Sequence, residues 1–472
     1  MNCPYSGENA MRTERDFLGT KELPDSAYYG INTARALDNF GSGAEKNDKL
    51  FIKSYLLVKK ACALVNQELK YLNNDKANAI ISAIDVLLEK DSFEDICVNP
   101  LSGGAGTSLN MNINEVIANH ALSMAGMQKG EYSFIHPLDD VNMHQSTNDT
   151  YPTALKTAIL MYLGIMEKSL VSLQESLQVK ELEFAGVVKL GRTEMQDALP
   201  MTVGMQFSAY SEAIGRDRWR IFKSMERIKT VNLGGTAIGT GFNAPQDYIF
   251  KAADKLKQLT GLNISRAENL VDATQNLDSI SEVAGMVKTV AVNLMKISED
   301  FRILSSGPEG GIGEFILPAL QEGSTIMPGK VNPVMCEYIT QSSLQVFAND
   351  HALCLACAMG NLELNQLYPL AANLILKNLR LVEDSISKLD HKIVRGLKLN
   401  EAKITENISS AMAVLTYLSQ HIGHDKAAAA YEQHKKTGKP VRDVLAESKV
   451  LDGSKYDELM TAAKIRMVGF RK

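Results

Sequence analysis

Residues 280–304 read ISEVAGMVKTVAVNLMKISEDFRIL. Apolar side chains fall at Ile280, Val283, Val287, Val290, Leu294, Ile297, Phe301 and Leu304. The steps alternate three and four throughout, which keeps all of them on one stripe of an α-helix. A helix over this stretch is about 37 Å long, and its stripe needs equally long partners. The flanking polar pattern is poor for a coiled-coil tail, so the stripe predicts the core of a bundle. The same reasoning predicts long amphipathic helices over 152–180, 202–229, 333–359 and 364–397. Strand-like alternation is scarce. The expected fold class is all-α, or mostly α, built around a long central helical bundle.

On the N-terminal side, residues 1–145 mix shorter helices with turns, and Asn74-Asp75 reads as the start of a helix ending near Lys90. Beyond 398 the long pattern breaks into short helices, punctuated by Gly438-Lys439-Pro440 and Asp452-Gly453-Ser454. Three domains are expected: 1–145, 146–397 and 398–472. Neither internal repeats nor low-complexity segments are visible.

The chain has 472 residues, 45% hydrophobic and 22% charged, with a formal net charge of −5. Those are the values of an ordinary soluble globular protein. A nucleic-acid partner would require clustered Lys and Arg, and the three lysines between Gln433 and Lys439 read as a solvated face. The first twenty residues lack the apolar core of a secretory signal, and no run approaches eighteen apolar residues. A cytoplasmic protein without a membrane partner is expected. Six cysteines give no disulfide framework. Cys354-Leu-Ala-Cys357 has redox spacing but lies in an apolar helical stretch, where two small buried residues are expected. His421 and His424 have no third ligand nearby in sequence, so surface or capping roles are expected and no metal site.

Four polar clusters interrupt the helical pattern. They are Ser102–Ser108 with Asn110 and Asn112, Gln145–Asp149, Gly191–Asp197, and the eleven-residue run GSTIMPGKVNP from Gly323 to Pro333. In the last, Pro328, Gly329 and Pro333 forbid a helix. Each cluster is expected at a helix end, where free N–H groups favour anions. Singly, each fits an ordinary N-cap. Together, and with the cation of Lys330, they point to a site for a dicarboxylate. Gly234–Gly241 is glycine-rich, but it does not fit G-x-G-x-x-G and no strand is expected before it. The Gly323 to Lys330 spacing does not fit a P-loop either, so no phosphate cofactor is expected.

These clusters, in this order, resemble the aspartase/fumarase superfamily. The Gly323–Pro333 run is similar to that family's GSSxMPxKxNP loop, with Thr325 in place of the second serine. The entry segment Arg12–Phe40 also matches, and the resemblance extends over nearly the whole chain. GKVNP is similar to the aspartase and class II fumarase branch, and Tyr28–Thr33 with Leu18-Gly-Thr looks more like aspartases. The resemblance implies a three-domain fold whose long bundle forms the core of a homotetramer, with active sites shared between subunits. It implies reversible anti elimination of ammonia from L-aspartate to give fumarate, without cofactor or metal. Carried over by motif, Ser324 is the general base. Thr107, Ser146, Thr147 and Thr325 bind the β-carboxylate and hold the aci-carboxylate that forms. Lys330 and Asn332 bind the α-carboxylate, while Asn148, Thr193 and Glu194 face the leaving amine.

Simple chemistry agrees with those roles. A serine hydroxyl is a poor base unless backbone N–H groups and a cation stabilise its alkoxide. The C3 proton is weakly acidic, so the larger task is to hold charge on the adjacent carboxylate. Departures matter too. Fumarases carry histidine where this chain has Glu194, aspartases carry histidine or glutamine there, and Glu337 matches the acidic position that pairs with that histidine. Leu138 replaces an asparagine common in fumarases. A carboxylate at 194 suits an ammonium group, which favours a C–N lyase and leaves open a substituted aspartate or a fumarase-type hydration. A purely structural role has no use for Ser324, Lys330 and Asn332 together.

Overall fold

The computed structural model describes residues 10–467 and 469. It is 62% helical, and its strands form four two-stranded sheets. The long helices fall where the spacing places them: Thr147–Glu183, Val203–Ile228, Asp278–Leu304, Val334–Ala358 and Tyr368–Lys388. The last is shorter than expected, because a wider helical turn, Leu389–Val394, replaces its end. All eight stripe residues from Ile280 to Leu304 are at most 6% exposed within this one chain. The stripe is therefore intrachain core, and any partner subunit must cover other faces.

The chain divides into two compact units. The first comprises the described residues up to Ile165, with Ile221–Lys288 and Val346–Arg380. Here Lys49–Glu68 packs on Asn74–Lys90 and on Gln246–Thr260. Asp48 caps the first of these by accepting from the N–H groups of Leu50 and Phe51. Asn73, one residue ahead of the expected start, caps the second through Lys76 N–H. The carboxylate of Glu115, 1% exposed, accepts from the N–H groups of Gly30, Asn32 and Thr33 at 2.8–3.1 Å. An anion thus sits on the open N-terminus of the Ile31–Phe40 helix. Gly30 permits that approach, since a Cβ there would meet Glu115 Cδ at 2.8 Å. The entry segment also contains a hairpin, Met11–Asp16 with Gly19–Pro24, where only turns and helices were expected.

The second unit comprises Met166–Arg220, Thr289–Gln345 and the described residues from Leu381 onward. Phe301 packs among Phe207, Tyr210 and Phe315. Polar bonds tie the helices sideways: Tyr210 Oη to Asp300 at 2.7 Å, Asn293 to Asp217 at 2.8 Å and Ser169 to Glu383 at 3.0 Å. The short C-terminal helices enclose their own core of Val414, Leu418, Val444 and Leu445, which also takes in Leu190.

Two further expectations change. Cys354 is exposed and Cys357 half-buried, so the C-x-x-C pair is not the buried pair expected. The glycine-rich segment is preceded by a short strand, Thr230–Val231, paired in parallel with Ser265–Arg266. Among the described residues no helix is long and apolar enough to cross a membrane.

Candidate active site

The constrained run lies in a stretch without helix or strand, which ends where the Val334–Ala358 helix begins. Its two ends are stapled together. Gly323 N–H donates to Lys330 O at 2.8 Å, and Asn332 Nδ2 donates to Gly323 O at 2.9 Å. A Cβ at 323 would lie 2.8 Å from both Asn332 N and Lys330 O, so the staple requires glycine. Between the staples the chain curls around a hollow of about 630 Å³, lined by Leu320, Glu322, Ser324, Thr325, Met327 and Lys330.

Inside that curl Ser324 Oγ accepts from two backbone donors, Met327 N–H at 2.9 Å and Ile326 N–H at 3.2 Å. Two donors aimed at one oxygen favour its negative form. Lys330 is exposed, and among the described residues its ammonium has no ion-pair partner. Asn332 spends one N–H on the staple and keeps the other.

The second cluster is both a helix cap and a donor set. Ser146 Oγ accepts from Asn148 N–H at 3.2 Å, and Asp149 returns the bond by accepting from Ser146 N–H at 3.0 Å. This reciprocal box closes the start of the Thr147–Glu183 helix. Asp149 is 0% exposed, and its other oxygen accepts from Gly234 and Thr236 N–H at 3.2 and 3.0 Å. The glycine-rich segment thus cradles an anion, but the anion is the chain's own Asp149. Burial pushes that carboxyl up to about 7 against these bonds, while burial pushes the nearby Lys59 ammonium down to about 7.

Each hydroxyl or amide in this cluster is oriented. Ser146 receives the cap bond on oxygen, so its proton remains for a ligand. Thr147 Oγ1 accepts from Asn110 Nδ2 at 3.1 Å, so its proton remains as well. Asn148 Nδ2 donates to Ala237 O at 2.8 Å, which leaves Oδ1 as an acceptor suited to an amine. Thr107 opens the Thr107–Met124 helix after Gly106, which has φ +96° and no side chain to cap it. Asn110, in the first turn of that helix, is the residue that reaches Thr147, so the two helix starts lie side by side.

The third cluster is not at a helix end. Val188–Thr193 and Gln196–Thr202 form a hairpin whose two-residue tip is Glu194-Met195. Both tip residues have positive φ, 52° and 62°, as the tightest hairpin turn demands. Glu194 is exposed at the tip and Thr193 ends the strand. Below it, Glu314, 0% exposed, pairs with Lys189 at 3.0 Å and Arg192 at 2.8 Å. Burial alone would raise the Glu314 carboxyl, but the Arg192 bond and the Lys189 charge hold it below the usual range. The pair fixes the hairpin to the chain that leads through Phe315–Ile316 into the loop.

The expected residues therefore form two sets. Thr107, Ser146, Thr147 and Asn148 lie in the first unit. Thr193, Glu194, Ser324, Thr325, Lys330 and Asn332 lie in the second. Sequence reasoning missed Lys59 and Glu314 and gave Asp149, though within the second cluster, no role; these are the buried charges behind them. Among the described residues no group of three or more His, Cys, Asp or Glu is placed to hold a metal ion.

Long helices with Ser324 on a loop are what the resemblance to the aspartase/fumarase superfamily implies. Residues 19–348 match the family described as Lyase, and residues 414–466 match the one described as Fumarase C C-terminus. The chain belongs to this lyase family. It is 39% identical over 464 residues to an aspartate ammonia-lyase of Bacillus subtilis (strain 168), covering 98% of each chain. A solved fumarate lyase:delta crystallin from Brucella melitensis, bound to cobalt, matches with a TM-score of 0.90 at 39% identity, covering 97% of this chain and 99% of that one. A class II fumarase from Schistosoma mansoni matches with a TM-score of 0.90 at 34% identity, again covering 97% and 99%.

Proposed function

We propose that this chain is an aspartate ammonia-lyase, catalysing the reversible anti elimination of ammonia from L-aspartate to give fumarate. The observation that carries the reading is Ser324 Oγ held by two backbone N–H groups in a hollow also lined by the exposed Lys330. The Ser324 alkoxide takes the C3 proton. The electron pair moves into the β-carboxylate, which becomes an aci-carboxylate dianion. The outward protons of Ser146 and Thr147, with Thr107 and Thr325, hold that charge. Collapse of the dianion breaks the C–N bond, and the α-ammonium leaves as ammonia. The proton on Ser324 is then released, so the products are fumarate and ammonium. Lys330 and Asn332 bind the α-carboxylate, and Asn148 Oδ1, Thr193 and Glu194 face the amine. No step in this reading calls for a cofactor.

The reading includes a cytoplasmic homotetramer whose active sites draw on several subunits. Trp219, Val292 and Leu344 support self-association alone, because these large apolar residues on the long helices are 50–60% exposed in the protomer. It also retains functional segments 1–145, 146–397 and 398–472. Glu194 keeps a second C–N substrate in play, since an exposed carboxylate at a hairpin tip accommodates an N-substituted aspartate.

Ser324→Ala tests the base. Fumarate formation, followed by its ultraviolet absorbance, should fall by about 10³-fold or more, the scale of losing an activated nucleophile or base. Inhibition by succinate should stay within about threefold, since binding does not need the base. Full activity in Ser324→Ala removes the assignment.

A further inference from the structure

Behind Thr147 lies a polar network that the elimination above does not use. Lys59, on the Lys49–Glu68 helix, is 0% exposed. Its Nζ donates to Asn142 Oδ1 at 3.0 Å and to Gln145 Oε1 at 2.9 Å. Asn142 Oδ1 also accepts from Asn110 Nδ2 at 3.1 Å and Asn114 Nδ2 at 3.2 Å. Asn110 Nδ2 in turn donates to Thr147 Oγ1 at 3.1 Å.

This network has a direction. In its charged form Lys59 only donates, and both amides facing it turn their oxygens towards it. Asn142 is locked in that sense by its Nδ2 bond to Gln145 O at 3.2 Å. Gln145 is locked by its Nε2 bonds to Val141 O and Met143 O at 3.0 and 3.2 Å. Asn110, facing an amide oxygen, must present its NH₂, and that NH₂ also reaches Thr147. The direction is imposed rather than locally optimal. It leaves Asn110 Oδ1 and Asn114 Oδ1 buried without a hydrogen-bond partner among the described residues, a state that interiors avoid.

We propose that Lys59 is a positioning residue: through Asn142 and Asn110 it fixes the Thr147 hydroxyl as a donor to the substrate carboxylate that accumulates charge. The proposal rests on the elimination reading for the identity of that carboxylate. Without the cation Asn142 and Gln145 keep their backbone bonds, but Asn142 Oδ1 loses its charged anchor; Asn110 can then turn away from it, and Thr147 can spend its proton on Asn110 Oδ1. The donor would be lost where charge develops, while substrate could still bind.

The test uses the full-length protein with Lys59→Met, Asn110→Ala, Thr147→Val and the double variant Lys59→Met/Thr147→Val. Lys59→Met should lower kcat by about 10²-fold, the scale of removing one oxyanion donor. KM and succinate inhibition should change by less than about threefold, a split that a general loss of structure does not give. The loss should be non-additive: the double variant should be about as slow as Thr147→Val alone. Asn110→Ala, which cuts the relay without unpairing a buried charge, should show the same split if Lys59→Met does not fold. Unchanged kcat in Asn110→Ala, or fully additive losses in the double variant, overturns the relay. The split is read on whichever substrate the wild type turns over. Wild-type turnover of malate but not aspartate therefore overturns the proposed substrate and leaves the relay under test, and turnover of neither overturns both.

Discussion

The start of the Thr147–Glu183 helix and the Gly323–Pro333 loop each carry several residues of the proposed substrate site, yet they are built in opposite ways. At the helix start Thr147 and Asp149 are buried, and Ser146, Asn148 and Asp149 are tied by a reciprocal cap and the Gly234–Thr236 cradle. In the loop Thr325 and Lys330 are exposed, and the two ends are joined by the Gly323 staple. Under the proposed elimination the difference matches two tasks. Donors that stabilise developing charge work best when fixed in advance. A base that must meet and release substrate works best on a segment reached from solvent. Stability and activity should therefore be coupled in the first region and separable in the second.

Lys330→Met is the sharpest probe of that separation. It should lower kcat/KM by about 10²–10³-fold, the scale of stranding one carboxylate of a bound pair. The melting temperature should stay within about 1 °C, because among the described residues the ammonium has no ion-pair partner to lose. A large fall in melting temperature would show that the loop is part of the folded scaffold.

Ser146→Ala should do both things at once. Loss of an outward donor lowers kcat by about 10²-fold, and loss of the cap lowers stability by about 1 kcal/mol. Activity and thermal melts on one preparation check the coupling. A stable but inactive variant, or an active but unstable one, breaks it.

Glu194→Gln probes the hairpin tip of the loop's unit. It should reduce the preference for an amine leaving group by about tenfold, the scale of losing one charge-assisted contact. Competing aspartate with malate reads the change. Unchanged selectivity removes Glu194 from the amine side.

The smallest effect concerns acid. His120 lies on the helix behind the fixed region, stacked on Tyr28 with ring centroids 3.9 Å apart. Burial, with help from Lys90 and Lys129, holds its pKa down to about 4 instead of 6.5. Between those values the unfolded chain binds a proton that the folded chain does not. Stability therefore falls as pH drops from about 6.5 to about 4. His120→Gln should flatten that part of a melting-temperature profile, whereas loop variants should leave it unchanged.

How far the sequence could be read follows from the same contrast. The three-four spacing of Ile280–Leu304 located a long core helix, because burial on one stripe leaves a periodic trace. It could not say whose side chains cover the stripe, and the covering residues, including Phe207 and Phe315, lie within the same chain. The loop was legible because Pro328, Gly329 and Pro333 leave the backbone few options. The Glu194-Met195 hairpin was not, since neither residue announces positive φ as Asn-Gly would. Lys59 and Lys60 are neighbours of one type, yet Lys59 is buried while Lys60 pairs with Asp85 at 2.5 Å near the surface. Nothing local distinguishes them. The four polar clusters were found by composition, but the direction of each donor depends on Asp149, Asn110 and Ala237, which only the fold brings close.

The most direct test is fumarate absorbance with wild-type protein and equal concentrations of L-aspartate, L-malate and an N-substituted aspartate. Rapid fumarate release is expected from aspartate and little from malate. Rapid release from malate with none from aspartate would contradict the proposed activity.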